Sequence, residues 1–368
     1  MTSHRDDIRD AVKQILAGSE PTIGAPIAHW DAQSWTNLTE SGFADLGIAE
    51  ESGGSGGDVT DAVDVAATIA ASGVCLPIIE HGLACWVVST TGLAKPTGTG
   101  TIGEDSSGIV AEESSGTVLL SGRISAVPWA SIAQWLAVFD GHSVAVVDLA
   151  ADGLVVHPGT DILGAPLCDV VMTGVVARSH APTTVSASQV RSRGAALYSA
   201  AMAGSARAVV DATIRHTSDR TQFGRPLAKF QAVQQRLAQL ASTVAQMERA
   251  VDEAAEALAT DSTRAAVALA SAKVVVSGAA ADVAAAGHHL HGAIGFTREH
   301  PLGRYTGSLQ SWRNRWGSAD DWARVLASQI LDDGPDLWDL ITGGSDVASS
   351  DATSSDATSS DATIGARP

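Results

Sequence analysis

Cysteine, positive charge and long apolar runs are all scarce in this sequence. Its 368 residues hold 3 Cys, 2 Tyr and only 23 Lys+Arg against 41 Asp+Glu, a formal charge of −18. Cys75, Cys85 and Cys168 are odd in number and form no CxxC pair, which argues against a disulfide frame or a cysteine zinc site and for buried thiols in a reducing cytoplasm. The acidic balance makes phosphate backbones and anionic lipid poor partners, so neither nucleic acid nor a membrane surface is expected. No uninterrupted apolar run approaches the roughly 20 residues that cross a bilayer. The opening residues, Met1 to Asp7, lack the charged-then-apolar layout of a secretion signal. What remains is 45% hydrophobic content, enough to exclude global disorder, in a length that suits about two or three domain-sized cores.

The pattern changes along the chain. Ile8, Val12, Ile15 and Leu16, then Val59, Ala62, Val63, Ala66 and Ile69, fall at helical spacing on either side of a glycine-rich loop at 53–57. That loop has no Lys-Ser/Thr ending and is not a phosphate-binding P-loop. From about 105 to 182 short apolar runs follow one another: Val118–Leu120, Trp135–Phe139, Val144–Val147 and Val170–Met172. Asp140-Gly141 between two of them is a hairpin signal. After Pro182 the chain reads as helix again, at about 189–217, from Phe230, at 263–288 and at 304–331. Phe230, Val233, Leu237, Leu240, Val244, Met247, Val251, Ala254 and Leu258 step by threes and fours, the seam of a helix packed lengthwise in a bundle. Gly204 and Gly278 in the flanking helices suit close approach of helix axes. A five-residue repeat, SDATS, fills the end of the chain without a bulky residue and reads as disordered. The expected class is α+β: a helical domain over 1–103, a β domain over 104–184, a helical bundle over 185–343 and a tail over 344–368.

Two segments carry chemistry. Asp219 to Leu227 places Arg220, Gln222 and Arg225 in a turn stopped by Gly224 and Pro226, just before the helix that opens with Phe230-Gln231. Guanidinium groups and free helix-start N–H groups seat an anion such as a pyrophosphate, although cations here also complement the preceding helix end. His288 to Thr297 places Gly292 and Gly295 just past a long helix, where backbone approaches a ligand closely or simply ends the helix. His288, His289 and His291 suggest a metal cluster, but adjacent helical positions point different ways and no Cys or carboxylate stands at ligand spacing, so metal binding by that trio is the weaker reading.

Together, R-x-Q-F-G-x-P-L-x-x-F-Q followed by L-H-G-x-I-G-F-T resembles the acyl-CoA dehydrogenase family, and so does the order of helical domain, β domain and four-helix bundle over about residues 5–332. The resemblance implies FAD bound between subunits and removal of two hydrogens from the α and β carbons of an acyl-CoA thioester. By position, Arg220 and Gln222 would face the FAD phosphates, with Phe230 and Gln231 beside them. His289 would stand where the family has a glutamine reaching a neighbour's FAD, Gly292 and Ala293 would complete that neighbour's site, and Ser318 would be a hydroxyl near the cofactor.

The departures are as informative as the matches. Abstraction of an α proton needs a positioned base, usually a carboxylate. The family's glutamate-glycine pair falls on Trp316-Gly317, and the alternative seat at the start of the first bundle helix reads Arg191-Ser192-Arg193-Gly194. No catalytic residue is therefore assigned, with Asp320 and Asp321 as displaced candidates. Where members carry a Trp and a Thr beside the flavin ring, this chain has Ala126 and Pro128, and proline donates no N–H. The pattern is similar to the base-lacking subunit of actinobacterial heteromeric α2β2 acyl-CoA dehydrogenases, which act on steroid side-chain or other bulky thioesters. That implies a homologous partner subunit and electron-transfer flavoprotein as acceptor. The alternatives are a homo-oligomeric enzyme with a displaced carboxylate and a flavin-free scaffold subunit.

Overall fold

A computed structural model describes residues 4–19, 30–114, 116–262 and 264–331; the SDATS repeat lies outside them. The expected α+β class is borne out. Helices α1 (His4–Leu16), α2 (Ala32–Glu40), α3 (Val59–Ser72) and α4 (Ile78–Ser89) come first. Local chemistry sets their ends: Asp58 and Asp61 form a reciprocal capping box at the start of α3, and Gly73 ends it in the left-handed conformation.

Strands β1 (Gly100–Ile102), β2 (Ile109–Ser114), β3 (Thr117–Pro128), β4 (Trp135–Phe139), β5 (Ser143–Asp148), β6 (Leu154–His157), β7 (Leu167–Val176) and β8 (Ser179–Pro182) form two four-stranded sheets, ordered β1-β4-β5-β8 and β2-β3-β7-β6. Only β1 and β4 run parallel within them; β4 and β5 form the hairpin signalled by Asp140-Gly141. The unbroken apolar runs of β4 and β5 have a simple cause. Leu136, Val138, Ala145 and Val147 fill the core shared by the two sheets, while the alternate residues Trp135, Ala137, Val144 and Val146 face the helices. A strand covered on both sides needs no polar face.

The long helices α5 (Ala187–Asp219), α6 (Gln231–Ala259) and α7 (Ala265–His291) follow, then α8 (Leu302–Trp312) and α9 (Ala319–Leu331). Helix α7 is long and apolar enough to span a bilayer by length and composition. Here Leu269, Val276, Ala280 and Val283 are buried in the bundle core. Gly204 lets α5 press on α3, since a Cβ there would sit 2.1 Å from the Ala67 carbonyl oxygen. Gly278 has open space around it and plays no such part.

Two other expectations are corrected. The apolar seam of α6 is buried from Leu240 onward, whereas Phe230, Val233 and Leu237 stay partly exposed because no other described element fully covers the first turns. The last helix is two helices: Trp316 and Gly317 adopt φ of +55° and +106°, which breaks the helical path, and Ser318 restarts it with Asp321.

The bundle core also holds Lys273, fully buried with no hydrogen-bond partner for Nζ. Burial pushes its ammonium down from 10.5 to about 8, against the pull of Glu104. A cation whose folded pKa lies below its unfolded one costs stability at neutral pH. That cost fades as pH rises through about 8 towards 10.5. Lys273→Met is therefore expected to raise the unfolding free energy at pH 7 by about 1–3 kcal/mol. Urea denaturation should show that gain shrinking at alkaline pH. A less stable variant at pH 7 would mean that the ammonium is better satisfied than its surroundings indicate.

Candidate cofactor site and the surroundings of Trp316

Helices α5 and α7 end at the same end of the bundle, and this brings the two sequence motifs together. A cavity of about 920 Å³ is lined by Arg215, His216, Asp219, Arg220, Gln222, His289, His291, Gly292, Ala293 and His300 among others. Arg220 caps α5 in extended conformation, its N–H bonded to the His216 carbonyl. The chain then reverses through a small hairpin, β9 (Thr221–Gln222) against β10 (Arg225–Pro226). Phe223 and Gly224 at its tip both have positive φ, +52° and +80°, the two-residue turn that matches the twist of paired strands. Gly292 ends α7 at φ +64° with nothing within 4 Å of a Cβ position, so backbone stands open to the cavity there. Gly295 differs: a Cβ would meet His291 and Leu302, and its smallness serves packing.

Five of the eight sequence-predicted cofactor residues, Arg220, Gln222, His289, Gly292 and Ala293, thus line one cavity. The other three do not. Phe230 receives the Arg225 guanidinium 4.2 Å over its ring and the edge of Phe223, Gln231 is exposed, and Ser318 caps α9. The cavity has what a phosphate needs: the exposed cation of Arg220, Arg215 beside it, and open backbone at a glycine. It also contains histidines that the motifs do not reveal. His216 lies one turn before Arg220 on the same helix face, and His300 arrives from the segment before α8. Burial holds His216, His291 and His300 below the usual imidazole range, His291 at about 4. His288 turns away, bonded to Thr306 and stacked on Phe296.

Trp316, which the resemblance sets at the place of a glutamate, is 6% exposed and its indole packs on Gly194 of α5, where a Cβ would come within 2.4 Å of the ring. The Trp316 backbone N–H donates to Glu104 at 2.9 Å, and the Trp316 carbonyl accepts the Trp322 indole N–H at 2.9 Å. Glu104, from the loop after β1, also pairs with Arg315 at 3.3 Å. Asp321 accepts from the Ser318 N–H and hydroxyl and from Arg324, which holds its carboxyl low. A cavity of about 630 Å³ beside Trp316 is lined by Glu104, Asp105, Asp140, Arg191 and Asp321. Deeper, Tyr198 donates to the fully buried Glu80, whose carboxyl burial pushes up; Glu80 does not line that cavity. Sequence reading missed Glu104 and Glu80, because neither belongs to a motif.

At the β domain, Ala126 has positive φ, +54°, at a bulge where the pairing of β3 with β7 shifts, and Trp129, just past the end of β3, has φ +59°. The Ala126 N–H is taken by Asp169, and the Trp129 N–H by the Pro166 carbonyl.

The model of the acyl-CoA dehydrogenase C-terminal domain matches residues 187–320. Acyl-CoA dehydrogenase IpdE2 of Mycolicibacterium smegmatis is 30% identical over 345 residues, covering 90% of this chain and all of that protein. Acyl-CoA dehydrogenase FadE34 of Mycobacterium tuberculosis is 29% identical over 246 residues, 64% of this chain, which spans only 34% of FadE34's length. Among solved structures, the ChsE4-ChsE5 complex from Mycobacterium tuberculosis superposes with TM-score 0.80 at 21% identity, over 91% of this chain and 99% of that one. The Tcur3481-Tcur3483 steroid ACAD does so with TM-score 0.79 at 21% identity, over 93% and 98%.

Proposed function

This chain belongs to the acyl-CoA dehydrogenase family, and we propose that it is the subunit of a two-component acyl-CoA dehydrogenase that helps to hold FAD while a homologous partner supplies the base. Trp316 carries this reading: an indole cannot take up a proton, and it is wedged where the carboxylate would stand. FAD, when bound, would accept hydride from the β carbon of the acyl-CoA as a base removes the α proton. The fit of this chain to that cofactor is uneven. Arg220, Arg215 and the open backbone at Gly292 suit the phosphates, whereas Ala126 and Pro128 bring no donor to the flavin ring. Such a division suits a subunit that completes an interface site rather than a whole one. Likeness to the ChsE4-ChsE5 complex and to a steroid ACAD supports an α2β2 assembly acting on a steroid side-chain or other bulky thioester. Electron-transfer flavoprotein as acceptor and a cytoplasmic location complete the proposal.

The test is flavin counted per subunit after co-expression with a partner that carries a glutamate at the Trp316 position. Arg220→Ala in this chain is expected to lower flavin content severalfold, because a charge-assisted phosphate bond contributes about 1.5–3 kcal/mol. Unchanged flavin would remove Arg220 from the site. A colourless complex would favour the second reading, a flavin-free scaffold, for which the missing donors at Ala126 and Pro128 speak.

A further inference from the structure

Three imidazoles meet on the inner wall of the large cavity, brought there by three elements. His216 comes from the last turn of α5, His291 from the last turn of α7, and His300 from the segment that leads into α8. One ring nitrogen from each lies within 4.8 Å of the others. The His216 and His300 ring centroids are 4.5 and 4.6 Å from that of His291. His291 is 5% exposed, and its Nε2 has no hydrogen-bond partner although the residue borders the cavity. Its Nδ1 lies 2.8 Å from the Gly287 carbonyl, which can only accept, so Nδ1 carries the proton and Nε2 presents a lone pair. A ring fixed through one nitrogen by a backbone carbonyl, with the other nitrogen free, is the arrangement metal-binding histidines use. The second His-containing group, Asp45, His81 and Cys85, is unlike it: His81 Nδ1 already accepts the Gly100 N–H at 2.9 Å, and the Cys85 thiol is fully buried.

We propose that His216, His291 and His300 form a site for a late first-row divalent ion such as Zn(II), with its remaining positions open to the cavity. Imidazole suits these ions, and three histidines with an open position give tetrahedral or five-coordinate geometry. At Zn–N of about 2.0–2.1 Å the ligand nitrogens stand roughly 3.3 Å apart, so the rings must close by about 1 Å. Both outer rings sit at element ends and are only partly buried. His216, now stacked on His291 at an interplanar angle of 24°, turns about its side-chain torsion to aim its lone pair. His300 gives up the 3.2 Å bond it accepts from the Leu302 N–H, a first-turn amide of α8 that has no partner within its own helix to lose. Asp219 on the same cavity wall supplies a carboxylate for the open side or balances the charge.

Co(II) reports the geometry directly. The full chain, without an affinity tag, is stripped with chelator, desalted and titrated with Co(II) by visible absorption, then with Zn(II) as competitor. One saturable ion per chain is expected, with the intense ligand-field band of a four- or five-coordinate ion, bleached by Zn(II). His216→Ala and His300→Ala, at partly exposed positions that leave the core intact, should each weaken uptake about tenfold or more. His157→Ala, on β6, should not. Arg220→Ala removes a neighbouring cation but no ligand and should retain uptake. The proposal falls if the wild-type chain takes up no Co(II), or if His216→Ala and His300→Ala bind as the wild type does. It falls equally if His157→Ala abolishes uptake, which would place the ion away from the three cavity histidines.

Discussion

Purified alone, the chain is expected to dehydrogenate acyl-CoA thioesters about 10²–10⁴-fold more slowly than when paired with a glutamate-bearing homologue, the usual contribution of a positioned general base. The carboxylates near Trp316 explain why none of them substitutes. Asp321 is committed to the Ser318 amide and hydroxyl and to Arg324, and a carboxyl held low in this way is a weaker base. Asp320, beside it, is exposed on the first turn of α9 and faces water. Glu104 is the strongest rival, because it borders the cavity beside Trp316; yet it accepts the Trp316 N–H and the Arg315 guanidinium. Glu80 is buried against Tyr198 away from that cavity. Steady-state assays of the chain alone, of Glu104→Gln and of Asp320→Asn with Asp321→Asn decide the matter. Full turnover by the chain alone that is lost in Glu104→Gln would make this a homo-oligomeric enzyme with a displaced base and sink the two-subunit proposal.

How much of this was legible beforehand depends on the range of each contact. The strands at Trp135–Phe139 and Val144–Val147 and the helix from Gln231 onward were legible because period and turn chemistry are local. Arg220, Gln222, Gly292 and Ala293 were legible as motifs, and they share a cavity because α5 and α7 end at the same end of the bundle. The break between α8 and α9 was not. Trp316 and Gly317 look like ordinary members of a helical stretch until the indole is seen on Gly194, well over a hundred positions earlier. The histidine cluster escaped for a related reason. Reading along α7 grouped His291 with His288 and His289, its sequence neighbours, whereas the fold pairs it with His216 and His300. Gly278 shows the converse error: composition marks a small residue, and only packing shows whether anything approaches it.

Trp316→Ala is expected to lower the unfolding free energy by about 3–5 kcal/mol, the range for truncating a buried aromatic to alanine. The indole is nearly closed off from water and covers the α5 backbone at Gly194, so its removal opens a void that two helices and a loop would have to collapse to fill. Two controls separate this wedge from a generic loss of area. Gly194→Ala puts a Cβ 2.4 Å from the same ring and should destabilise by about 1–3 kcal/mol through overpacking. Trp316→Gly should cost up to about 1 kcal/mol less than Trp316→Ala despite losing one more carbon, since φ of +55° suits glycine and strains alanine. Trp316→Glu should be no more stable than Trp316→Ala, because it sets a second carboxylate next to Glu104 in a poorly solvated place, and it should not raise turnover of the chain alone. Urea denaturation of the four variants gives the ranking. A change within 1 kcal/mol for Trp316→Ala would mean that the loop is loosely held and can be re-formed around a partner. A large loss means that the indole is part of the core at the place where the resemblance sets the base.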